Sequence, residues 1–316
     1  MRALDLPSEP EEPGRAERPA EGGTDRGRVR ETPDPDERGR VYETMRAHVS
    51  VDTGGAAEPA RRPDGADRRS YWDEVPRFLD MWADHEKRWP ERQHATEPGC
   101  PADPAGSYRS RGGLELNPAR HAETVEAISR MRKAEPAISA DIQTIAKENT
   151  YGGWLEGFDR RIKGDDRLKE KIAAQVAAES DKASSVILQK IPDAVRFTLC
   201  FEPASYTQGY YDIKARLEDR GHEVYQSANY WTDSEYKGIN TRWATQEGQR
   251  FEVQFHTPES FHAKQYVTHI AYERLRDPQI ADEERRDLED FQREVSSHIR
   301  TPNSAADIPD FKKEGF

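Results

Sequence analysis

The sequence predicts an α+β fold in which a mixed, largely antiparallel sheet is flanked by helices. The apolar patterns follow the order helices, one strand, one helix, three strands and two helices, which is typical of that class. The clearest strand covers 250–256, in which three apolar residues alternate with polar ones, so that one face is buried. Residues 247–249 carry turn signals and join this strand to the preceding one as a hairpin.

The composition limits the class of protein. The chain has 316 residues, is 34% charged and has a mean hydropathy of −1.04, so part of it is expected not to fold. A net charge of −12 argues against a general nucleic-acid coating protein. Cys100 and Cys200 lie in different contexts and indicate neither a disulfide framework nor a zinc site. The sequence contains no apolar run of the roughly 18 residues that a membrane helix needs, so we expect a soluble, cytoplasmic protein without a membrane partner.

The first part of the chain is predicted to contain little structure. Residues 1–68 are expected to form a disordered arm, because a Pro/Gly-rich, charged segment buries too little apolar surface to offset the entropy of ordering. A short amphipathic helix is predicted within 69–92, and a linker over 93–117. Four residues at near-helical spacing define this helix: Trp72, Val75, Leu79 and Trp82. We expect the helix to dock on the folded domain rather than to bind a separate partner.

The folded domain is predicted to span 118–302 and to be followed by a tail, 303–316. Apolar residues at helical intervals predict helices over 124–133, 137–147, 165–179, 208–220, 258–276 and 281–300. Short or alternating apolar runs predict four strands. One begins at Asp193, and the other three cover 224–231, 236–243 and 250–256. Gly221 is the expected C-cap of one helix, and Pro258 after Thr257 begins another.

Two acidic residues in the predicted strands provide a candidate site for phosphate chemistry. Asp193 opens one strand, and Glu252 lies on the polar face of another, together with Gln254 and His256. A hard cation such as Mg²⁺ binds one or two carboxylates and takes its remaining ligands from water and substrate phosphates. The alternative is that both acids are ordinary surface residues of a sheet.

A second polar group lies on the helix predicted after Pro258. Its members are spaced so that they share one helical stripe: His262, Tyr266, His269 and Glu273. Polar packing or contact with substrate is the expected role of this stripe, because no recognised metal motif accompanies it. A transition-metal site is the less favoured alternative.

From about residue 157 to residue 276 the sequence resembles the RelA/SpoT-type synthetase domain of alarmone pyrophosphokinases. The short, single-domain (p)ppGpp synthetases, including those used as toxins, are the members that it resembles most. Five segments carry the resemblance in family order: Arg161-Ile-Lys163 with Arg167 to Lys171, Asp193 to Phe197, Ser234 to Asn240, Glu252 to Thr257, and His269 to Glu273.

The resemblance implies a nucleotidyltransferase-like fold and a Mg²⁺-dependent transfer of pyrophosphate from ATP to the 3′-hydroxyl of a purine nucleotide, without a hydrolase domain. It assigns ATP phosphates to Arg161, Lys163, Lys171 and the position of His256. It assigns the acceptor nucleotide to Tyr236, Asn240 and Gln254. Asp193 and Glu252 would hold Mg²⁺, or Glu252 would take the proton of the attacking hydroxyl. Arg196 is expected on the opposite face from Asp193, in a structural role.

The sequence also departs from the family pattern. His256 replaces an arginine of the family pattern. The acidic segment 231–235 stands where the family has a lysine before the tyrosine, and its negative charge disfavours GDP or GTP as the acceptor. The acceptor therefore stays open between guanosine nucleotides, adenosine nucleotides and the 3′ end of tRNA. A catalytically silent nucleotide-binding module is the alternative from another class. A toxin role, with an antitoxin or a second copy of the chain as partner, is a further hypothesis.

Overall fold

The computed structural model describes residues 70–90, 106–110, 113–277 and 279–314. The predicted arm, 1–68, and most of the predicted linker lie outside the described residues. None of the described helices combines the length and the apolar character that crossing a lipid bilayer requires.

The core of the fold is a six-stranded mixed sheet with the strand order β3-β4-β7-β6-β5-β8. The strands are β3 (Trp154–Glu156), β4 (Arg196–Cys200), β5 (Glu223–Asn229), β6 (Ile239–Ala244), β7 (Arg250–His256) and β8 (Phe311–Lys312). β4 and β7 are parallel, and the other neighbouring pairs are antiparallel. A separate short ladder joins β1 (Tyr108–Arg109) to β2 (Glu115–Leu116). The predicted α+β class with a largely antiparallel sheet is confirmed.

Eight helices surround the sheets in the described part of the chain. They are α1 (Tyr71–Arg88), α2 (Pro118–Glu148), α3 (Asp165–Ala178), α4 (Ser184–Gln189), α5 (Tyr206–Asp219), α6 (Pro258–His262), α7 (His269–Leu275) and α8 (Asp282–Ser297). The Asn117 side chain caps α2 by accepting the amide of Arg120, and Pro118 stands at the first helical position. α2 continues through Pro136, where the sequence predicted a break between two helices.

The two faces of the sheet differ in polarity. On β7, Phe251, Val253 and Phe255 are buried in the hydrophobic core. Glu252 and Gln254 alternate with them and therefore belong to the opposite, polar face. The candidate site lies on this polar face.

Helix α1 docks on the rest of the fold. The Tyr71 hydroxyl lies 2.9 Å from Nδ1 of His262, and Nε1 of Trp89 donates to Asp287 at 2.9 Å. The buried side consists of Tyr71, Glu74, Val75, Phe78, Trp82 and His85. The predicted stripe is therefore rotated by about one residue, with Trp72 and Leu79 only partly buried, because the docking surface accommodates the rings of Tyr71 and Phe78.

Several boundaries differ from the prediction. Asp193 lies in a 3₁₀ turn, Pro192–Ala194, rather than in a strand, and Tyr236 lies in the loop before β6. The helix predicted over 258–276 is interrupted by a π-helical turn, Ala263–Val267. The predicted tail, 303–316, contains β8, which pairs with β5 and closes that edge of the sheet.

Candidate active site

A row of polar residues crosses four strands on the polar face. Gln226 of β5 is in register with Arg242 of β6, which in turn is in register with Glu252 of β7. On the other side, Glu252 is in register with Arg196 of β4. Residues in register share a face of the sheet, so Glu252 lies between two guanidinium groups.

Asp193 is held by two lysines. An isolated bridge between Ile162 and Val195 brings the segment of Lys163 beside the turn that carries Asp193. Nζ of Lys163 lies 2.7 Å from Oδ2 of Asp193, and Nζ of Lys171, from α3, lies 3.1 Å from Oδ1. Burial by itself would raise the pKa of Asp193, but the two ammonium groups outweigh it and hold this pKa well below its usual range. Asp193 is therefore an anion at every physiological pH.

Glu252 has the opposite electrostatic character. Its side chain is buried, and its Oε1 accepts a hydrogen bond of 2.6 Å from Nε2 of Gln254. Burial raises the pKa of Glu252, Arg196 opposes this shift, and the negative charge of Asp193 reinforces it. The pKa values of the two carboxyl groups are thus pushed apart, as is typical of a pair that divides acid–base roles.

Arg161 does not join the two lysines at Asp193. Its Nε donates to Glu135 at 2.6 Å and to Ser139 at 2.9 Å, both on α2, and its guanidinium lies over the ring of Phe158. Arg161 thus ties the segment before α3 to α2. A role of Arg161 in binding phosphate stays a prediction, and it would require the guanidinium to leave Glu135.

Two of the three predicted acceptor residues, Tyr236 and Asn240, belong to one hydrogen-bond network. The Tyr236 hydroxyl donates to Oδ1 of Asn240 at 2.9 Å and lies 3.0 Å from Nε2 of His256. Nδ1 of His256 lies 2.9 Å from Oγ of Ser260. Burial, with Lys264 as the next cause, lowers the pKa of His256 well below its usual value. His256 is therefore a neutral member of this network and does not supply the positive charge expected from a phosphate-binding residue.

The acidic side chains of segment 231–235 make contacts with their own surroundings. Oδ1 of Asp233 accepts the backbone amides of Glu235 and Tyr236, at 2.8 and 3.2 Å. Lys237 donates to the backbone carbonyl oxygens of this loop. The carboxylate of Glu235 lies 3.8 Å from Arg293. These contacts give the acids a structural role in the loop, and the repulsion of acceptor phosphates by this segment stays a prediction.

Three cations of the site were not assigned to it by the sequence. Arg196 was expected on the face opposite Asp193, and this was wrong because Asp193 precedes the strand and the alternation begins only at β4. Arg242 was not singled out, although its alternate position in β6 was a usable signal. Lys264 lies in the π-helical turn and donates to Oε1 of Gln254. From the sequence it was one more charged residue on a predicted helix.

The alternative transition-metal site receives no support. The π-helical turn alters the helical spacing between His262 and His269, so that they no longer share one stripe. His262 is buried against Tyr71, whereas His269 is exposed. Within the described ranges, the side chains of His, Cys, Asp and Glu contain no group of three or more that could hold a metal ion.

Basic side chains outnumber carboxylates in the candidate site. We define the polar-face cluster as Lys163, Lys171, Asp193, Arg196, Arg242, Glu252 and Lys264. Its five basic side chains outnumber the two carboxylates, in a chain whose net charge is −12. The polar-face cluster therefore has a local excess of basic side chains, which is the charge that a strongly anionic ligand requires. Asp193 and Glu252, as two carboxylates beside such a ligand, also suit a single Mg²⁺ ion, which usually binds through one or two carboxylates and substrate phosphates.

No family model matches the sequence, and no curated protein matches it either. Solved structures do resemble the chain. The Type VI effector Tas1, solved with its immunity protein, is 20% identical, with a TM-score of 0.38 over 56% of this chain and 97% of that chain. The small alarmone synthetase 1 from Bacillus subtilis, bound to its product pppGpp, is 13% identical, with a TM-score of 0.36 over 53% and 88%. A GTP pyrophosphokinase family protein from Streptococcus pneumoniae is 15% identical, with a TM-score of 0.32 over 56% and 85%.

Proposed function

We propose that the chain is a Mg²⁺-dependent pyrophosphokinase that transfers the β,γ-diphosphate of ATP to the 3′-hydroxyl of a purine nucleotide. The observation that carries this proposal is the polar-face cluster, in which five cations surround two carboxylates on an otherwise acidic protein. Phosphoryl-group transfer depends mainly on positioning and charge stabilisation, and this set of side chains supplies both.

The donor phosphates are assigned to Lys163, Lys171 and Arg196. Within the described part of the chain, no hydrogen bond or ion pair holds the guanidinium of Arg196, so it can bind phosphate oxygens at little cost. Lys163 and Lys171 are paired with Asp193, and both ammonium groups can turn to a triphosphate when another cation takes their place at that carboxylate.

The two carboxylates take different roles. Asp193, which stays anionic, would hold Mg²⁺, and the ion would neutralise charge on the triphosphate. Glu252, whose pKa is raised, accepts the proton of the attacking 3′-hydroxyl. The hydroxyl oxygen forms a bond to the β-phosphorus of ATP, the bond between that phosphorus and the α–β bridging oxygen breaks, and AMP leaves with this oxygen.

The acceptor nucleotide is assigned to the neighbouring network. Tyr236 and Asn240 are joined by a hydrogen bond beside Gln254, on the side of Glu252 away from Asp193. Aromatic and amide groups of this kind bind either purine through ring contacts and hydrogen bonds. The acceptor is therefore a purine nucleotide, and a transfer assay with different acceptors decides between guanosine, adenosine and tRNA.

The test is a transfer assay with the full chain, Mg²⁺ and γ-labelled ATP. GDP, GTP, AMP, ADP, ATP and bulk tRNA are offered separately as acceptors, and Glu252→Gln is compared with wild type. Gln at this position retains the shape of Glu252 and can still accept the hydrogen bond of Gln254, so the variant is expected to fold but to transfer at least about 100-fold more slowly. Glu247→Gln, in the exposed hairpin turn, is the matched control.

Label on one acceptor, lost in Glu252→Gln and retained in Glu247→Gln, would support the proposed reaction. Folded wild-type protein that labels none of the acceptors would contradict it and would favour a nucleotide-binding module without catalytic activity. Label transferred equally by Glu252→Gln would remove Glu252 from the reaction.

A further inference from the structure

Lys264 is a partly buried lysine of the polar-face cluster. Its ammonium group donates a hydrogen bond to Oε1 of Gln254. The same amide uses Nε2 to donate to Oε1 of Glu252 at 2.6 Å. Lys264, Gln254 and Glu252 thus form a chain of two hydrogen bonds that ends on the carboxylate assigned to the reaction.

The chemistry of the three groups fixes the direction of this chain. A lysine ammonium only donates, so it must face the oxygen of the Gln254 amide. An ionised carboxylate only accepts, so Glu252 must face the nitrogen. Lys264 and Glu252 therefore require the same one of the two amide orientations. Without Lys264, only the carboxylate of Glu252 would favour this orientation, and no second hydrogen bond would hold the amide of Gln254 in place.

The backbone around Lys264 is held at both ends. On the N-terminal side, Thr257 and Ser260 form a reciprocal capping box at the start of α6. On the C-terminal side, the amide and the hydroxyl of Thr268 donate to the carbonyl oxygen of Ala263, at 2.8 and 3.1 Å. The π-helical turn between these points directs Lys264 toward β7. Single π-helical turns inside helices frequently occur at functional sites.

The position of Lys264 has a cost for the fold. Burial, followed by the positive charge of Arg196, lowers its pKa to about 7. Among the described residues, no carboxylate forms an ion pair with its ammonium group. A partly buried cation without a direct anionic partner is unfavourable for stability and is typically found where function requires it.

We propose that Lys264 is a positioning residue that acts through Gln254 to orient the carboxylate of Glu252 toward the reacting hydroxyl. This inference rests on the proposed function. Lys264 itself does not touch the substrate in this assignment, and the loss of its ammonium group affects turnover rather than the binding of ATP.

The test is a double-mutant cycle made of Lys264→Met, Gln254→Met and the variant with both changes. Each single change should lower kcat by about 10- to 100-fold, the usual effect of removing a residue that orients a reactive group. The KM for ATP should change little. Because both changes break the same chain of hydrogen bonds, the double variant should be no slower than the slower single variant. Lys214→Met, at a partly exposed position of α5, is the matched control.

Two outcomes would overturn the inference while leaving the reaction in place. If the two effects on kcat multiply, Lys264 acts independently of Gln254. If Lys264→Met raises the KM for ATP and leaves kcat unchanged, Lys264 binds phosphate directly.

Urea midpoints of the same four proteins provide a readout that does not depend on activity. Non-additive shifts of the midpoint would confirm that Lys264 and Gln254 are coupled in the folded protein. If the midpoints are non-additive but the wild-type protein labels no acceptor, the proposed function is overturned, and the positioning role with it. Additive midpoints together with additive effects on kcat would overturn the inference alone.

Discussion

Arg196 and Glu252 are cross-strand partners on one face of the sheet, in register across the parallel strands β4 and β7. The pairing places a guanidinium group beside the carboxylate assigned as the proton acceptor, and Arg242 flanks that carboxylate from β6. A parallel pair brings together residues that are far apart in the sequence, and here it joins the donor side of the candidate site to its reactive carboxylate. Each of the two arginines carries a separate prediction.

The first prediction concerns Arg196. Arg196→Met removes a guanidinium that we assign to the phosphates of ATP, and charge-assisted hydrogen bonds of this kind contribute about 1.5–3 kcal/mol. We expect the KM for ATP to rise by about 10- to 100-fold, measured by initial rates at saturating acceptor. Arg130→Met, on the exposed surface of α2, should have no effect. An unchanged KM for ATP in Arg196→Met would remove Arg196 from the donor site.

The second prediction concerns the pH dependence of transfer. Glu252 must be deprotonated to act as a base, so the rate should fall as the pH drops through its pKa. Burial raises this pKa, so the acidic limb of kcat/KM should lie above the usual range of a glutamate. The positive charge of Arg242 lowers the same pKa, and Arg242→Met should therefore move the limb to higher pH. A limb that is identical in wild type and variant would contradict the role of Glu252.

The third prediction concerns the pairing of Asp193 with Lys163 and Lys171. Without a metal ion, a polyphosphate must compete with the Asp193 carboxylate for both ammonium groups. Asp193→Asn removes this competitor, so tripolyphosphate in EDTA should bind more tightly by roughly tenfold, or about 1.4 kcal/mol, in a calorimetric titration. The same variant should lose transfer activity in Mg²⁺.

The control for this measurement is Asp166→Asn, which removes an exposed carboxylate near the start of α3. It should leave the affinity for tripolyphosphate unchanged. If tripolyphosphate binds more weakly to Asp193→Asn than to wild type, Lys163 and Lys171 do not bind the phosphates.

Local sequence patterns predict much of the sheet and both carboxylates. The alternation in 250–256 predicted β7 with its observed ends, because one face of that strand is apolar without exception. Such a pattern also identifies Glu252 as a residue of the polar face. It does not identify the residues of neighbouring strands that lie beside Glu252, because the pairing of β4 with β7 depends on the strand order of the sheet. Arg196 was therefore missed, although its own strand was predicted.

The other misses have physical causes of the same kind. Pro136 does not end α2, since the tertiary contacts of Met131 and Ile138 on either side bury both in the core. Lys264 was not distinguishable from a solvated lysine, because its burial follows from a π-helical turn that has no simple sequence signal. The ion pair between Arg161 and Glu135 was also missed, because the two residues are remote in the sequence.

The last prediction concerns the docking of α1. His85 of α1 is buried, and its Nε2 lies 3.9 Å from the carboxylate of Glu284 on α8. Burial lowers the pKa of His85 from 6.5 to about 4, with Arg274 of α7 as the next cause and Asp287 of α8 opposing the shift. The folded state therefore binds this proton less tightly than the unfolded chain. The stability that this histidine contributes is complete above pH 6.5 and is lost as the pH falls toward 4.

Replacing His85 by Gln removes the titrating group while retaining a polar side chain of similar size. The free energy of unfolding of wild type should decrease more steeply than that of His85→Gln between pH 6.5 and pH 4.5, measured by urea denaturation at several pH values. His269→Gln, at an exposed position, should follow wild type. If the free energy of unfolding depends on pH in the same way in wild type and His85→Gln, folding does not lower the pKa of His85. In that case the contact between α1 and α8 would not be the origin of acid sensitivity.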